Sequence, residues 1–274
     1  GRGDKAVAIA EKVYRGRVAT NAPLNDVLVS QRLYGNVLGR VGKFEEGDRL
    51  LSDGLRIAKG AKPENNETTL SFMSELCGLR GQWGHYADAI VVCRELLGFA
   101  ESAMGRDSLS ASSARQLFSG ALYNVGEHDA SATLLETDLK LMIPKFGEKH
   151  YTVLWTMSGL ARAYAELGRA EEAKPIAEKA YYGILEKYGP NFPFTQDAGL
   201  GLAVIYVKLN QYSQALGLLE QIVVATDRRG GELNIRAKRE LARTYSLMRR
   251  KDDAEKMILA ALKDAVNCPN TIIS

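Results

Sequence analysis

Glycine recurs in this chain at a fixed interval: Gly42, Gly84, Gly126 and Gly168 are each 42 residues apart, and Asn210 holds the next place. Self-similarity at a period of about 20–50 residues marks a repeat array, in which each unit buries its apolar face against the next. Such a chain offers an extended surface, so binding is expected before catalysis.

The register is tested by overlaying the segments. Seven residues before each turn lie Gly35, Cys77, Ser119, Ala161, Ala203 and, after a unit three residues shorter, Ala242; five residues beyond lie Gly47, Ala89, Ser131, Ala173, Ala215 and Ala254. All are small, as two helices crossing at about 8–10 Å require where their axes approach most closely. Bulky residues precede the first set: Tyr34, Leu76, Phe118, Leu160, Leu202 and Leu241. Three places after it come Leu38, Arg80, Leu122, Tyr164, Tyr206 and Tyr245, among which only Arg80 departs from the pattern.

A small residue, an aromatic three later, a turn glycine and a small residue five beyond it resemble the tetratricopeptide repeat, most clearly in LARAYAELGRAEEAKPIAEKA at 160–180. Ordinary units of that family run to about 34 residues. The 42-residue spacing is similar to the kinesin-light-chain type, as are the connectors KFGEKHYT at 145–152 and KYGPNFPFT at 187–195. The resemblance implies an all-α, right-handed superhelical solenoid of helix-turn-helix repeats. We expect one such solenoid over 1–274: residues 1–16 as the second helix of a truncated repeat, six repeats over about 28–266, and a tail at 267–274. It reads as a fragment of a larger protein.

Local signals agree with this register. SQALGLLEQIVVAT at 213–226 repeats apolar residues at helical spacing. AGLGLAVIYVKL at 198–209 reads as a buried strand in isolation, and the repeat register overrides that reading. Pro63, Pro190, Pro193 and Pro269 fall outside the expected helix interiors, whereas Pro144 and Pro175 must sit near helix ends or impose bends. With 46% hydrophobic and 25% charged residues, the composition is that of a globular chain. No run approaches the roughly 20 apolar residues of a membrane span, and the first residues lack a signal peptide's regions.

Chemical motifs are sparse. Cys77, Cys93 and Cys268 match no metal or disulfide framework; Cys77 and Cys93 face the core of one unit and are expected as buried, reduced thiols, which favours a cytoplasmic location. His85, His128 and His150 fall in turns or connectors of different units without a second ligand, so no metal site is expected. Gly199 and Gly201 lie within an expected helix and suit close packing better than nucleotide binding. Neither Arg2-Gly3-Asp4 nor Asn66-Glu67-Thr68 has the context its short motif requires. No nucleophile or acid–base constellation is recognisable, so neither an enzyme nor a cofactor is expected.

In the resembled family the groove is lined by outward positions of each unit's first helix. Counting back from the turns gives Arg32, Leu33 and Asn36; Ser74, Glu75 and Gly78; Gln116, Leu117 and Gly120; Ser158, Gly159 and Arg162; Leu200, Gly201 and Val204; and Arg239, Glu240 and Arg243. Tyr123, Asn124, Lys208 and Arg236 join the candidate partner-binding set. Arg236, Arg239 and Arg243 share a helix face. With Arg162, Lys208 and Arg32 they form a basic stripe suited to an acidic ligand. Arg32 and Asn36 resemble the opening pair of a carboxylate clamp, which Glu75, Ser113 and Leu117 leave incomplete. The asparagine ladder of cargo-binding kinesin light chains is replaced by small residues, and Gly78, Gly120, Gly159 and Gly201 are expected to leave room for a bulky side chain or helix.

The expected function is a non-catalytic scaffold binding a protein or peptide in a concave groove. The alternative is a ligand-sensing regulatory domain of a signalling NTPase or transcription regulator. A net charge of +3 is too diffuse for nucleic acid, and no membrane partner is expected. Self-association is expected through Val7, Ile9 and Val13, which the incomplete first unit exposes.

Overall fold

The structure is a computed structural model that describes residues 2–61, 65–227 and 230–267. Pro63, Cys268 and Pro269 lie outside the described residues, as does most of the expected tail. Thirteen α-helices and no strand are found among the described residues. None of these helices is long and apolar enough to cross a membrane.

The chain forms two compact units, Gly1–Glu127 and His128–Ser274. The first holds α1 (Arg2–Ala19), α2 (Leu24–Arg40), α3 (Phe44–Gly60), α4 (Asn66–Gln82), α5 (Tyr86–Met104) and α6 (Leu109–Asn124). The second holds α7 (His128–Phe146), α8 (Tyr151–Glu166), α9 (Ala170–Tyr188), α10 (Pro193–Lys208), α11 (Tyr212–Asp227), α12 (Glu232–Leu247) and α13 (Lys251–Asn267). Within each unit every helix packs on the next, and alternate helices also touch: α2 on α4, α4 on α6, α8 on α10 and α10 on α12. The even-numbered helices α2–α12 are the first helices of the repeats, and the odd-numbered α3–α13 the second.

The glycine ladder works through backbone conformation. Gly42, Gly84, Gly126 and Gly168 have φ of 83°, 81°, 87° and 77°, and Asn210 and Arg249 occupy the same left-handed region at 58° and 61°. After each turn residue, the next amide donates to the carbonyl five residues before it: Lys43 to Leu38, His85 to Arg80, Glu127 to Leu122, Arg169 to Tyr164, Gln211 to Tyr206 and Arg250 to Tyr245, all at 2.8–3.0 Å. This closes the helix end in a Schellman-type cap and turns the chain back. A second ladder runs half a period out of phase, with positive φ at Asn21, Gly105, Gly147, Gly189 and Gly231. The connector motifs in the sequence reveal only Gly147 and Gly189 of this ladder.

Helix crossings explain the small residues. A Cβ on Gly35 would lie 2.6 Å from Leu51 Cγ, and one on Gly47 would lie 2.9 Å from Leu79 Cδ1. One repeat later, the position of Gly35 is held by Cys77 and that of Leu51 by Cys93, and these form a disulfide across a Cα–Cα distance of 5.4 Å. This corrects the expectation of reduced thiols. The crossing point of α4 and α5 brings two small side chains face to face, at a separation within the disulfide range. In the second unit the same small positions are filled by Ala161, Ala173, Ala203 and Ala215, all fully buried.

Polar bridges fasten successive repeats. Tyr164 donates its hydroxyl to Glu136 at 2.8 Å, Tyr206 to Glu178 at 2.9 Å and Tyr245 to Glu220 at 2.8 Å. Burial, then the adjoining carboxylate, raises the pKa of each phenol, so each remains a donor. Arg80 does the same work with different chemistry, reaching back from α4 to Asp48 on α3 through Nε at 2.6 Å and Nη2 at 3.2 Å. The guanidinium groups of Arg169 and Arg250, next to the turn residues, lie over the rings of Tyr164 and Tyr245 at 3.8 and 4.4 Å.

The strand-like stretch 198–209 is helical through Lys208. Gly199 is required there, since a Cβ would meet Tyr181 at 3.0 Å and Ile222 at 3.1 Å. Pro144 sits near the C-terminal end of α7 and Pro175 in the second turn of α9. Pro193 is the first residue of α10, where a missing N–H is tolerated.

Gly168→Ala should destabilise the chain by about 1–2 kcal/mol, and Arg249→Gly should stabilise it by about 1 kcal/mol, because a side chain in the left-handed region is strained. Denaturant midpoints at unchanged slope test both. The protein prepared without reductant should weigh two hydrogens less than the reduced protein, and reduction should lower its stability by about 3 kcal/mol, as expected for a short closed loop. Complete alkylation of Cys77 and Cys93 without reductant would contradict the disulfide.

Candidate functional site

The residues lying 13, 10, 9 and 6 places before each turn fall on one face of the first helices. In the first unit the structure brings Arg32 and Asn36 of α2 together with Glu75 of α4: Arg32 Nη1 lies 2.8 Å from Glu75 Oε1, and the Asn36 amide donates to Oε2. Glu75 therefore answers the two residues that resembled a carboxylate clamp. A cavity of about 100 Å³ opens here, lined in part by Asn36, Arg40, Glu75, Gly78 and Gln82. Ser74 and Gln116 are half-buried on the same face, whereas Tyr123 and Asn124 stand at the end of α6, half-buried and exposed respectively.

In the second unit the expected basic stripe is a ladder of ion pairs. Asp197 of α10 stands between Arg162 of α8 at 3.4 Å and Arg236 of α12 at 3.5 Å. Lys208 reaches Glu166 at 3.2 Å, and Arg243 reaches Glu240 at 3.7 Å. Arg239 is exposed one turn from Arg236 and Arg243. Asp197 and Glu166 belong to this candidate surface and were missed in the sequence, although they occupy the same helix face as the arginines. Each carboxylate fixes its cation in place. Arg236 still keeps 43% of its side-chain surface exposed, so its guanidinium can meet a ligand anion as well as Asp197.

An aromatic edge flanks this ladder. Trp155 of α8 and Phe194 of α10 meet edge to face with ring centroids 4.7 Å apart, and Phe194 keeps 38% of its surface exposed. Tyr151, Tyr188 and Phe192 continue the cluster, Tyr151 lying 5.6 Å from both Tyr188 and Phe194. Burial pushes the Tyr151 phenol up to about 12, with Tyr188 adding to the shift, so it stays neutral. The dense aromatics of 188–194 carried this signal in the sequence. Trp155 and Arg162 are seven residues apart, two turns along the same face of α8.

Some expected positions fall elsewhere. Ser158 is buried, so it lines a helix junction and not the surface. Gly78 and Gly120 do leave open space, with nothing within 4 Å of an added Cβ. Gly201 does not, because the Arg162 chain lies 3.3 Å from where its Cβ would be; at Gly159 the Leu135 side chain intrudes at 3.2 Å. These two glycines admit residues of the protein's own fold, not a partner. Ile9 and Val13 are exposed as expected, whereas Val7 is half-buried.

Two of the histidines serve local structure. His150 accepts from the Thr152 amide at the start of α8 and packs on Phe146, and His85 stacks on Trp83 at 3.9 Å. Among the described residues no group of three or more His, Cys, Asp or Glu side chains converges as a metal site.

Two family models described as tetratricopeptide repeat match the chain, one over residues 109–181 and the other over 200–232. No curated protein matches it. Among solved structures it is similar to BtubC (BKLC) from P. vanneervenii, at 13% identity and a TM-score of 0.69 over 85% of this chain and 94% of that one. It is also similar to a putative kinesin light chain of Podosopora anserina with nearly identical TPR-like repeats, at 20% identity and a TM-score of 0.57 over 71% of this chain and 94% of that one. NprR in complex with its cognate peptide NprX is similar at 14% identity and a TM-score of 0.66, over 95% of this chain and 74% of that one. The glycine ladder, the paired helices and these matches agree: the chain carries tetratricopeptide repeats, and its fold is similar to that of a putative kinesin light chain with such repeats.

Proposed function

We propose that this chain is a non-catalytic scaffold that binds a protein or peptide segment along the face of its first helices. The observation that carries the reading is the surface on α8, α10 and α12, where an exposed aromatic edge adjoins ordered ion pairs. Arg162, Arg236, Arg239, Arg243 and Lys208 face three carboxylates, Asp197, Glu166 and Glu240. The cationic excess favours an acidic segment, the carboxylates offer directional acceptors to its amides, and Trp155 with Phe194 offers an apolar anchor. The structural similarity to a peptide-bound NprR supports a peptide as one form of partner. In the first unit Arg32, Asn36, Ser74, Glu75 and Gln116 form the corresponding face, with room at Gly78 and Gly120.

Repeat packing suits this role because the surface is built before the partner arrives, which lowers the ordering cost of association. The cytoplasmic placement expected from free thiols loses that support now that Cys77 and Cys93 are joined.

The direct test is capture of a partner from native lysate by the chain and by a variant carrying Arg162→Glu, Arg236→Glu and Arg243→Glu, with helical circular dichroism unchanged. The variant should lose a specific partner by about tenfold or more. Equal capture by both would rule this surface out as the binding face. Gly78→Leu should leave stability intact, since open space surrounds the site, yet weaken any partner that crosses α4; unchanged affinity would confine binding to the second unit.

A further inference from the structure

The second unit holds a cavity of about 410 Å³ that contains none of the groove residues. It lies between α7 and α8, lined by Leu139, Ile143, Pro144 and Leu160, with Glu136, Lys140 and Tyr164 as its polar groups. The volume falls within the range of small-molecule sites, and an apolar lining with a few convergent polar groups is their usual chemistry. The polar pair at this cavity is the bridge described above, Tyr164 donating to Glu136 at 2.8 Å.

The repeat itself shows what such a surface accepts. One period later the same bridge recurs as Tyr206 with Glu178. There the position of Lys140 is held by Tyr182, one turn from Glu178 on α9; its ring packs on Tyr181 at 5.1 Å, its phenol interacts electrostatically with that of Tyr206, and it keeps 56% of its surface exposed. A phenol thus sits beside the second bridge, whereas the first has an exposed lysine in its place.

We propose that the α7–α8 cavity receives a tyrosine side chain from a protein partner, which places a phenol beside the Tyr164–Glu136 bridge as Tyr182 does beside the bridge one repeat later. The ring packs on Leu139, Ile143 and Leu160, and the hydroxyl joins the Tyr164–Glu136 pair. Lys140 can swing over the ring face, where an ammonium is attracted to the aromatic π-system. This second site is independent of the groove and stands or falls separately from it.

The test uses the full chain and p-cresol as the tyrosine side chain, followed by methyl NMR. Saturable shifts should centre on Leu139, Ile143 and Leu160, with binding roughly threefold to tenfold tighter than toluene because one hydrogen bond is added. Lys140→Tyr, which supplies the ring in cis, should abolish the shifts with circular dichroism unchanged. N-acetyl-tyrosinamide should bind no more weakly than p-cresol, since the cavity is open at its mouth. Absence of saturable shifts, no preference over toluene, or persistence in Lys140→Tyr would overturn the proposal. Binding of p-cresol but not of N-acetyl-tyrosinamide would overturn its assignment to tyrosine.

Discussion

A left-handed residue after eleven of the thirteen described helices is the constraint on which the remainder of the structure depends. Gly42, Gly84, Gly126, Gly168, Asn210 and Arg249 end the first helices, while Asn21, Gly105, Gly147, Gly189 and Gly231 mark the connectors. Within each unit, reversal at nearly constant intervals makes successive helices similar in length, so equivalent residues return to equivalent surroundings every 42 residues, or 39 in the last repeat. Small residues then recur where the axes cross. A single register therefore sets turn, crossing and surface together.

The polar bridges differ between the two units. The Tyr–Glu pair recurs three times in the second unit, and Arg80 with Asp48 fills the corresponding place in the first. The crossing that holds Gly35 and Leu51 in one repeat holds a disulfide in the next. These substitutions keep the backbone geometry and change its chemistry, which is how a repeat fold acquires local function without losing its architecture. The ion pairs of Arg162, Asp197 and Arg236 extend the same logic across three neighbouring first helices.

Most of the fold was legible because its signals are periodic. The 42-residue ladder located five first-helix turns, the small-residue register placed the sixth after a unit three residues shorter, and together they overrode the strand-like appearance of 198–209. The disulfide was not legible as such, since two cysteines 16 residues apart carry no framework signal until the helix crossing places them face to face. The site was legible only in part. Counting from the turns found the arginines, but not that Asp197 stands between two of them, because partner choice depends on side-chain reach across neighbouring helices. Gly201 shows the same limit: its small size suggested an open groove, whereas the space is filled by Arg162.

The central claim is that the face of the first helices is the working surface. Hydroxyl-radical footprinting of the chain with and without its captured partner tests this most directly, because it reads side-chain exposure residue by residue. Trp155 and Phe194 on α8 and α10 should be protected, with Val224 on α11 unchanged. Protection confined to Val91, Val224 and other exposed residues of the second helices, with Trp155 and Phe194 unaffected, would contradict it.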